Sequence, residues 1–147
     1  MIKIQAFSQA NDFLTFGIIV NKKKEIIASS NESIDHPLRH CVINLVDKVA
    51  SLQGGGVWFK LPNPINSKLN KSKDDPYLCT NYDIFINTEP CLICAMALIH
   101  SRIKRIFFTT STLTKSKCPA DSALSVIKIH ALPNLNHHFE VWKLDLN

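Results

Sequence analysis

The sequence predicts an α/β protein: a three-layer α/β/α sandwich around a mixed five-stranded sheet. Two observations carry this. Short apolar strand segments alternate with two helical patterns in the order β-β-α-loop-β-α-β, and the apolar residues suffice for one core. The chain has 147 residues with 46% hydrophobic and 20% charged side chains, which suits a single ordered domain over 1–147 rather than a disordered segment.

Phe13 to Val20 is rich in aromatic and β-branched residues and breaks at Asn21. With Lys22–Lys24 as the turn and Glu25–Ala28 returning, it reads as a β-hairpin. The polar stretch Ser29–Asp35 reads as a loop. Pro37 suits a first helical turn, and Leu38, Val42, Leu45, Val46, Val49 and Leu52 continue at helical spacing until Gly54–Gly56. A long loop rich in Pro, Asn, Lys and Ser runs from about 54 to 76. Asp83–Asn87 is the next strand, and Pro90 precedes a helix from about Cys91 to Ser101. Lys104–Thr109 is a strand, Ser111–Ala123 is polar, and a tail begins at about 124. Leu124–His130 fits helix or strand equally. His138–Leu144 alternates as a final strand.

The bulk numbers exclude several classes. No apolar run approaches the roughly 20 residues of a membrane span, so no membrane association is expected. The first residues, MIKIQAFSQAND, lack the apolar core of a secretory signal. Five cysteines, at positions 41, 79, 91, 94 and 118, are an odd number and include a Cys-x-x-Cys pair. Reduced thiols in the cytoplasm or nucleus, some bound to metal, fit better than a disulfide framework. The formal charge of +5 suits an anionic partner without requiring one.

His40, Cys91 and Cys94 are the candidate metal ligands. A Cys-x-x-Cys at a helix N-terminus turns both sulfurs to one point, where backbone N–H groups stabilise thiolate. One His and two Cys leave a tetrahedral position open, as in catalytic rather than structural zinc sites. With Pro90 before Cys91, the arrangement matches the deaminase signature H-x-E…P-C-x-x-C except at one place: Val42 stands where the glutamate belongs. That glutamate carries the proton from the activated water to the base, and valine holds none. Glu32, Asp35 and Glu89 lie nearby in sequence, but no spacing argument puts any of them in its position. The site is therefore expected to bind metal and do little chemistry alone. A redox role for Cys91 and Cys94 is weakened by the placement of His40.

The segments HPLRHCVINLVDKVA (36–50), PYLCTNYDIFINTEPCLICAMALIHSRIKRIFF (76–108) and IHALPNLNHHFEVW (129–142) resemble the catalytically degenerate subunit of the eukaryotic heterodimeric tRNA adenosine deaminase. The central loop is outside the resemblance. The YLCT and EPC-x-x-CAMAL-x-H motifs, joined to a histidine helix without its glutamate, point to this subunit more than to deaminases in general. The resemblance implies Zn2+ on His40, Cys91 and Cys94, a catalytic partner that keeps the glutamate, and a part in positioning tRNA for wobble adenosine-to-inosine conversion. It also implies an additional N-terminal RNA-binding domain, of which these 147 residues contain almost nothing. An active nucleoside or nucleotide deaminase with another acid, and a purely structural zinc module, are the alternatives.

Three basic clusters are candidate RNA contacts, each otherwise ordinary solvated surface: Lys22, Lys23 and Lys24; Lys68, Lys71 and Lys73; Arg102, Lys104 and Arg105. Trp58, Phe59, Tyr77 and Tyr82 are expected to pack, with base stacking the sharper alternative. His36 and His100 read as structural, and Cys41 and Cys79 as small core residues. Cys118 has no assigned role. His137, His138 and the tail near Trp142 are candidates to plug the open zinc position.

Overall fold

The computed structural model describes residues 15–33, 35–59, 76–109 and 123–145. Lys68, Lys71, Lys73 and Cys118 lie outside the described residues. The strands are β1 (Phe16–Val20), β2 (Ile26–Asn31), β3 (Asp83–Ile86), β4 (Arg105–Thr109) and β5 (Glu140–Leu144), and the helices are α1 (Cys41–Leu52) and α2 (Leu92–His100).

The strands form one sheet in the order β2-β1-β3-β4-β5. β1 is antiparallel to β2 and β3, whereas β3, β4 and β5 run parallel. The expected mixed five-stranded sheet is therefore present. The hairpin turn is closed around Asn21, whose side chain accepts from the Glu25 amide at 2.9 Å and donates to its carboxylate at 2.7 Å.

Alternation along the strands sorts the side chains to two faces. On one face Ile19, Ile84, Ile86, Ile106 and Phe108 meet Val42, Leu45 and Val49 of α1 and Ala95, Leu98 and Ile99 of α2 in one buried core. Gly17 is needed here, because a Cβ would meet Leu45 and the Phe85 carbonyl at 3.0 Å. Among the described residues the two helices form one layer, in contact with each other. The other face carries the row Ile18, Phe85, Phe107 and Trp142, aligned by register. Phe107 stacks on Phe85 at 4.6 Å and on Trp142 at 6.3 Å.

Several boundaries differ from expectation. β2 extends through Ser29, Ser30 and Asn31, which read as loop because they are polar. They pair with Ile18, Gly17 and Phe16 at the sheet edge, where backbone hydrogen bonds and not side-chain apolarity hold the strand. α1 starts at Cys41 rather than at Pro37, and Leu38 is exposed despite its helical spacing. The backbone of His40 is extended (φ −67°, ψ 155°), which ends any helix running in from the N-terminal side. The ambiguous segment after Leu124 is a run of turns with a single 3-10 turn at Ile129–Ala131. β5 begins at Glu140, two residues later than the alternation suggests.

Candidate metal centre

Both helices begin at one point. His40 is the N-cap of α1 and its carbonyl accepts the Asn44 amide at 2.9 Å. Cys91 is the N-cap of α2 and its carbonyl accepts the Ala95 amide at 2.9 Å. Cys94 comes one turn later on the same face. The backbone at Cys91 is extended, with ψ 173°, as it is at His40.

The three predicted ligands come together. Nδ1 of His40 lies 3.4 Å from Sγ of Cys91 and 3.4 Å from Sγ of Cys94, and the three ligand atoms lie within 4.8 Å of one another. Zn–S bonds of about 2.3 Å and Zn–N bonds of about 2.0–2.1 Å at tetrahedral angles separate ligand atoms by about 3.5 Å. The triad fits zinc with one position left over, and two helix N-termini supply the positive field that favours thiolates.

Val42 is 1% exposed, part of the core, and lines the same cavity. The space beside the triad is small, about 20 Å³, enough for one water molecule. Its other walls include Thr15, Ile86, Thr88, Pro90, Glu32 and Glu89. Glu89 is already engaged. Its carboxylate accepts the backbone amides of Leu124 and Ser125 at 3.0 and 2.7 Å and the Ser125 hydroxyl at 2.9 Å. It thereby straps the start of the C-terminal segment to the rim. Glu32 is the carboxylate that sequence reasoning does not place. It is buried at the end of β2, with its amide on the Thr15 carbonyl at 2.9 Å, and only the full length of β2 reveals that it reaches the pocket. Asp35 is exposed and does not line the cavity.

The remaining described cysteines are structural. Burial, reinforced by Glu32, pushes the Cys41 thiol far above its usual range, and its sulfur meets the Ser30 carbonyl at 3.2 Å. Burial pushes Cys79 up to about 11. Both remain protonated thiols at neutral pH.

The C-terminal histidines do not plug the metal cavity. His137 donates from Nε2 to the Ile103 carbonyl at 2.7 Å and His138 to the Leu132 carbonyl at 2.9 Å. Both line a groove at the amino ends of the parallel strands, away from the metal cavity at the carboxyl end of β3. Trp142 lies on the sheet face away from α1 and α2, in the row with Phe107. The third basic cluster also divides. Arg105 is locked to Asp83 by bonds of 2.8 and 2.6 Å, which raise its pKa, whereas Arg102 and Lys104 line that groove. Lys22, Lys23 and Lys24 are exposed in the hairpin turn.

His36 is outside α1, with Nδ1 accepting the Leu38 amide at 3.2 Å, and it sits 5.9 Å from Trp58. Trp58 and Phe59 are held by Asp47, whose carboxylate accepts three successive amides, of Val57, Trp58 and Phe59, at 2.6, 3.1 and 2.9 Å. Arg39 lies over both rings, at 5.6 and 5.2 Å.

Residues 4–110 match the family model for the cytidine and deoxycytidylate deaminase zinc-binding region. The chain is 40% identical over 138 residues to a Danio rerio protein named probable inactive tRNA-specific adenosine deaminase-like protein 3, covering 86% of this chain and 38% of that one. A Homo sapiens protein of the same name is 39% identical over 127 residues, covering 74% and 34%. The Arabidopsis thaliana tRNA-specific adenosine deaminase TAD3 is 47% identical over 73 residues, covering 50% and 17%. The chain thus spans well under half the length of these relatives. Among solved structures, one from a study of A-to-I editing by tRNA:A34 deaminases aligns with a TM-score of 0.60 at 17% identity, over 88% of this chain and 82% of that one. A cyanophage dCMP deaminase aligns with a TM-score of 0.51 at 13% identity, over 93% and 85%. These structural likenesses support the fold.

Proposed function

The chain belongs to the cytidine and deoxycytidylate deaminase zinc-binding family, and from that premise we propose that it is a zinc-holding, non-catalytic subunit of a tRNA adenosine deaminase. One observation carries this: the His40–Cys91–Cys94 triad is intact while Val42 lies buried where the proton-carrying glutamate belongs. In this reading the whole chain is one deaminase domain acting in the cytoplasm or nucleus. Its partner supplies the glutamate, and the substrate is the wobble adenosine of tRNA, as the names of its relatives suggest.

Zinc, when bound, supplies Lewis acidity at the fourth position. The side chains of this chain limit the use of that acidity. His40, Cys91 and Cys94 would hold the ion, and Val42 moves no proton. Among the described residues no helix is long and apolar enough to cross a membrane.

Co-purification and reconstitution test the reading together. The expected result is one zinc per chain, no inosine from the chain alone on an anticodon stem-loop, and inosine once a glutamate-bearing deaminase chain is added. Inosine formation by the purified chain alone would sink it. One observation favours a second reading, an active deaminase whose acid is Glu32, because that carboxylate is buried in the cavity wall. Activity of the lone chain on cytidine, deoxycytidylate or adenosine, abolished by Glu32→Gln, would establish that reading instead.

A further inference from the structure

Three chain segments meet at the amino ends of β3, β4 and β5 and leave a groove of about 330 Å³ lined by Thr80, Asn81, Arg102, Lys104, His137 and His138. It is at the opposite end of the sheet from the metal centre. Its lining holds two cations, Arg102 and Lys104, against one acid. Neither Arg102 nor Lys104 has a carboxylate partner among the described residues. The one acid in the wall, Glu140, is turned to Trp142, whose indole N–H donates to it at 3.4 Å, and adds to the negative field on Arg105. Beside the cations stands Tyr77, 64% exposed, with the Arg102 guanidinium 5.7 Å from its ring centre.

The backbone at Arg102 is a second, independent observation. α2 ends in a reciprocal cap: the Arg102 amide bonds the Ile99 carbonyl at 3.0 Å, and the Ile103 amide bonds the Leu98 carbonyl at 3.2 Å. α1 ends in the same motif, Gly54 to Ser51 at 3.2 Å and Gly55 to Ala50 at 2.8 Å. The left-handed position of that motif favours glycine, and α1 has Gly54 there with φ 85°. α2 has Arg102 with φ 59°, at a cost of about 1–2 kcal/mol for a residue with a Cβ. Arg102 thus stands, at some cost, where the cap itself prefers glycine.

We propose that this groove binds the backbone of RNA, with Arg102 and Lys104 neutralising phosphates and Tyr77 offering its ring to an adjacent base. A paired cation and exposed ring is the combination that single-stranded nucleic acid uses. The choice of RNA rests on the subunit reading above, whereas the basic groove does not.

Arg102→Gly with Lys104→Gln is the informative variant, since glycine is the residue the cap prefers and the fold is expected to survive. Binding of a tRNA with adenosine at the wobble position is measured by fluorescence anisotropy across a salt series, on the full chain assembled with its catalytic partner. The double variant is expected to bind about tenfold more weakly at about 0.1 M salt, with the log–log salt slope shallower by about one to two. Zinc content and melting temperature should be unchanged or higher. Tyr77→Ala should weaken binding without changing the slope. Unchanged affinity and slope in the double variant would overturn the groove while leaving the subunit reading standing. Displacement of the RNA by polyglutamate or millimolar inorganic phosphate as readily as by unlabelled RNA would make it a general anion site and also overturn the proposal. A wild-type complex that binds no tRNA would defeat both.

Discussion

The two ends of the sheet are built in opposite ways. At the carboxyl end of β3, two helix N-termini bring a nitrogen and two sulfurs to zinc-like spacing, around a cavity of about 20 Å³. At the amino ends of β3, β4 and β5 there is about 330 Å³ of open, basic groove with no cluster of metal ligands among the described residues. One end keeps metal-ligating chemistry beside a small cavity. The other has room and no chemistry. A deaminase needs both at a single place, and in this chain the two lie at opposite ends of the sheet.

The largest effect should come from removing a ligand. Cys94→Ala should cut zinc affinity by more than about 100-fold, beyond what loss of an outer-shell contact costs, and lower the melting temperature. Metal analysis and calorimetry check this, and retained stability without zinc would show that the closed end does not depend on the ion. Next, Val42→Glu tests the closure itself. A carboxylate forced into a position 1% exposed should cost about 3–5 kcal/mol if it stays unpaired, with no inosine from the lone chain. Gained activity would mean that the cavity opens. Glu89→Ala removes the acceptor of two amides and a hydroxyl and should cost about 2 kcal/mol, with faster amide exchange confined to the residues after Ala123.

A further effect appears only at alkaline pH and belongs to the groove end, where Cys79 is buried next to Thr80 and Asn81. Its folded pKa of about 11 exceeds the ordinary thiol value of 9.0. The unfolded chain therefore releases this proton first as pH rises. The stability contributed by Cys79 is complete below about 9 and declines between there and about 11. Urea denaturation in reducing buffer should show that decline, and Cys79→Ala should flatten it.

The zinc end is legible in the sequence because its chemistry is local. Pro-Cys-x-x-Cys fixes two ligands within one turn, and only His40 must be recruited from another element. Glu32 is illegible because Ser29–Asn31 read as loop until their pairing with β1 carries the chain to the cavity. The start of α1 misleads for the opposite reason. Leu38 has the right spacing by coincidence, and the extended backbone at His40, which positions the ligand, is what ends the pattern. The groove is legible only in part, since Arg102 and Lys104 read as a basic cluster in the sequence but nothing there shows what they line. Its walls come from residues about 80, 102–104 and 137–140, which become neighbours through parallel pairing alone.

That pairing sets an order of assembly during synthesis. The metal ligands are complete once Cys94 has emerged, but the Glu89 strap waits for Ser125. The last backbone link at the groove, the Glu140 amide to the Lys104 carbonyl at 3.0 Å, waits for the final strand. A nascent chain can therefore load its ion while the other end of the sheet is still an unfinished edge. Until β5 arrives, β4 presents open hydrogen-bonding groups beside Phe107, an adhesive border of the kind that invites wrong partners. An ion held by His40, Cys91 and Cys94 would anchor the half already made while that border is exposed.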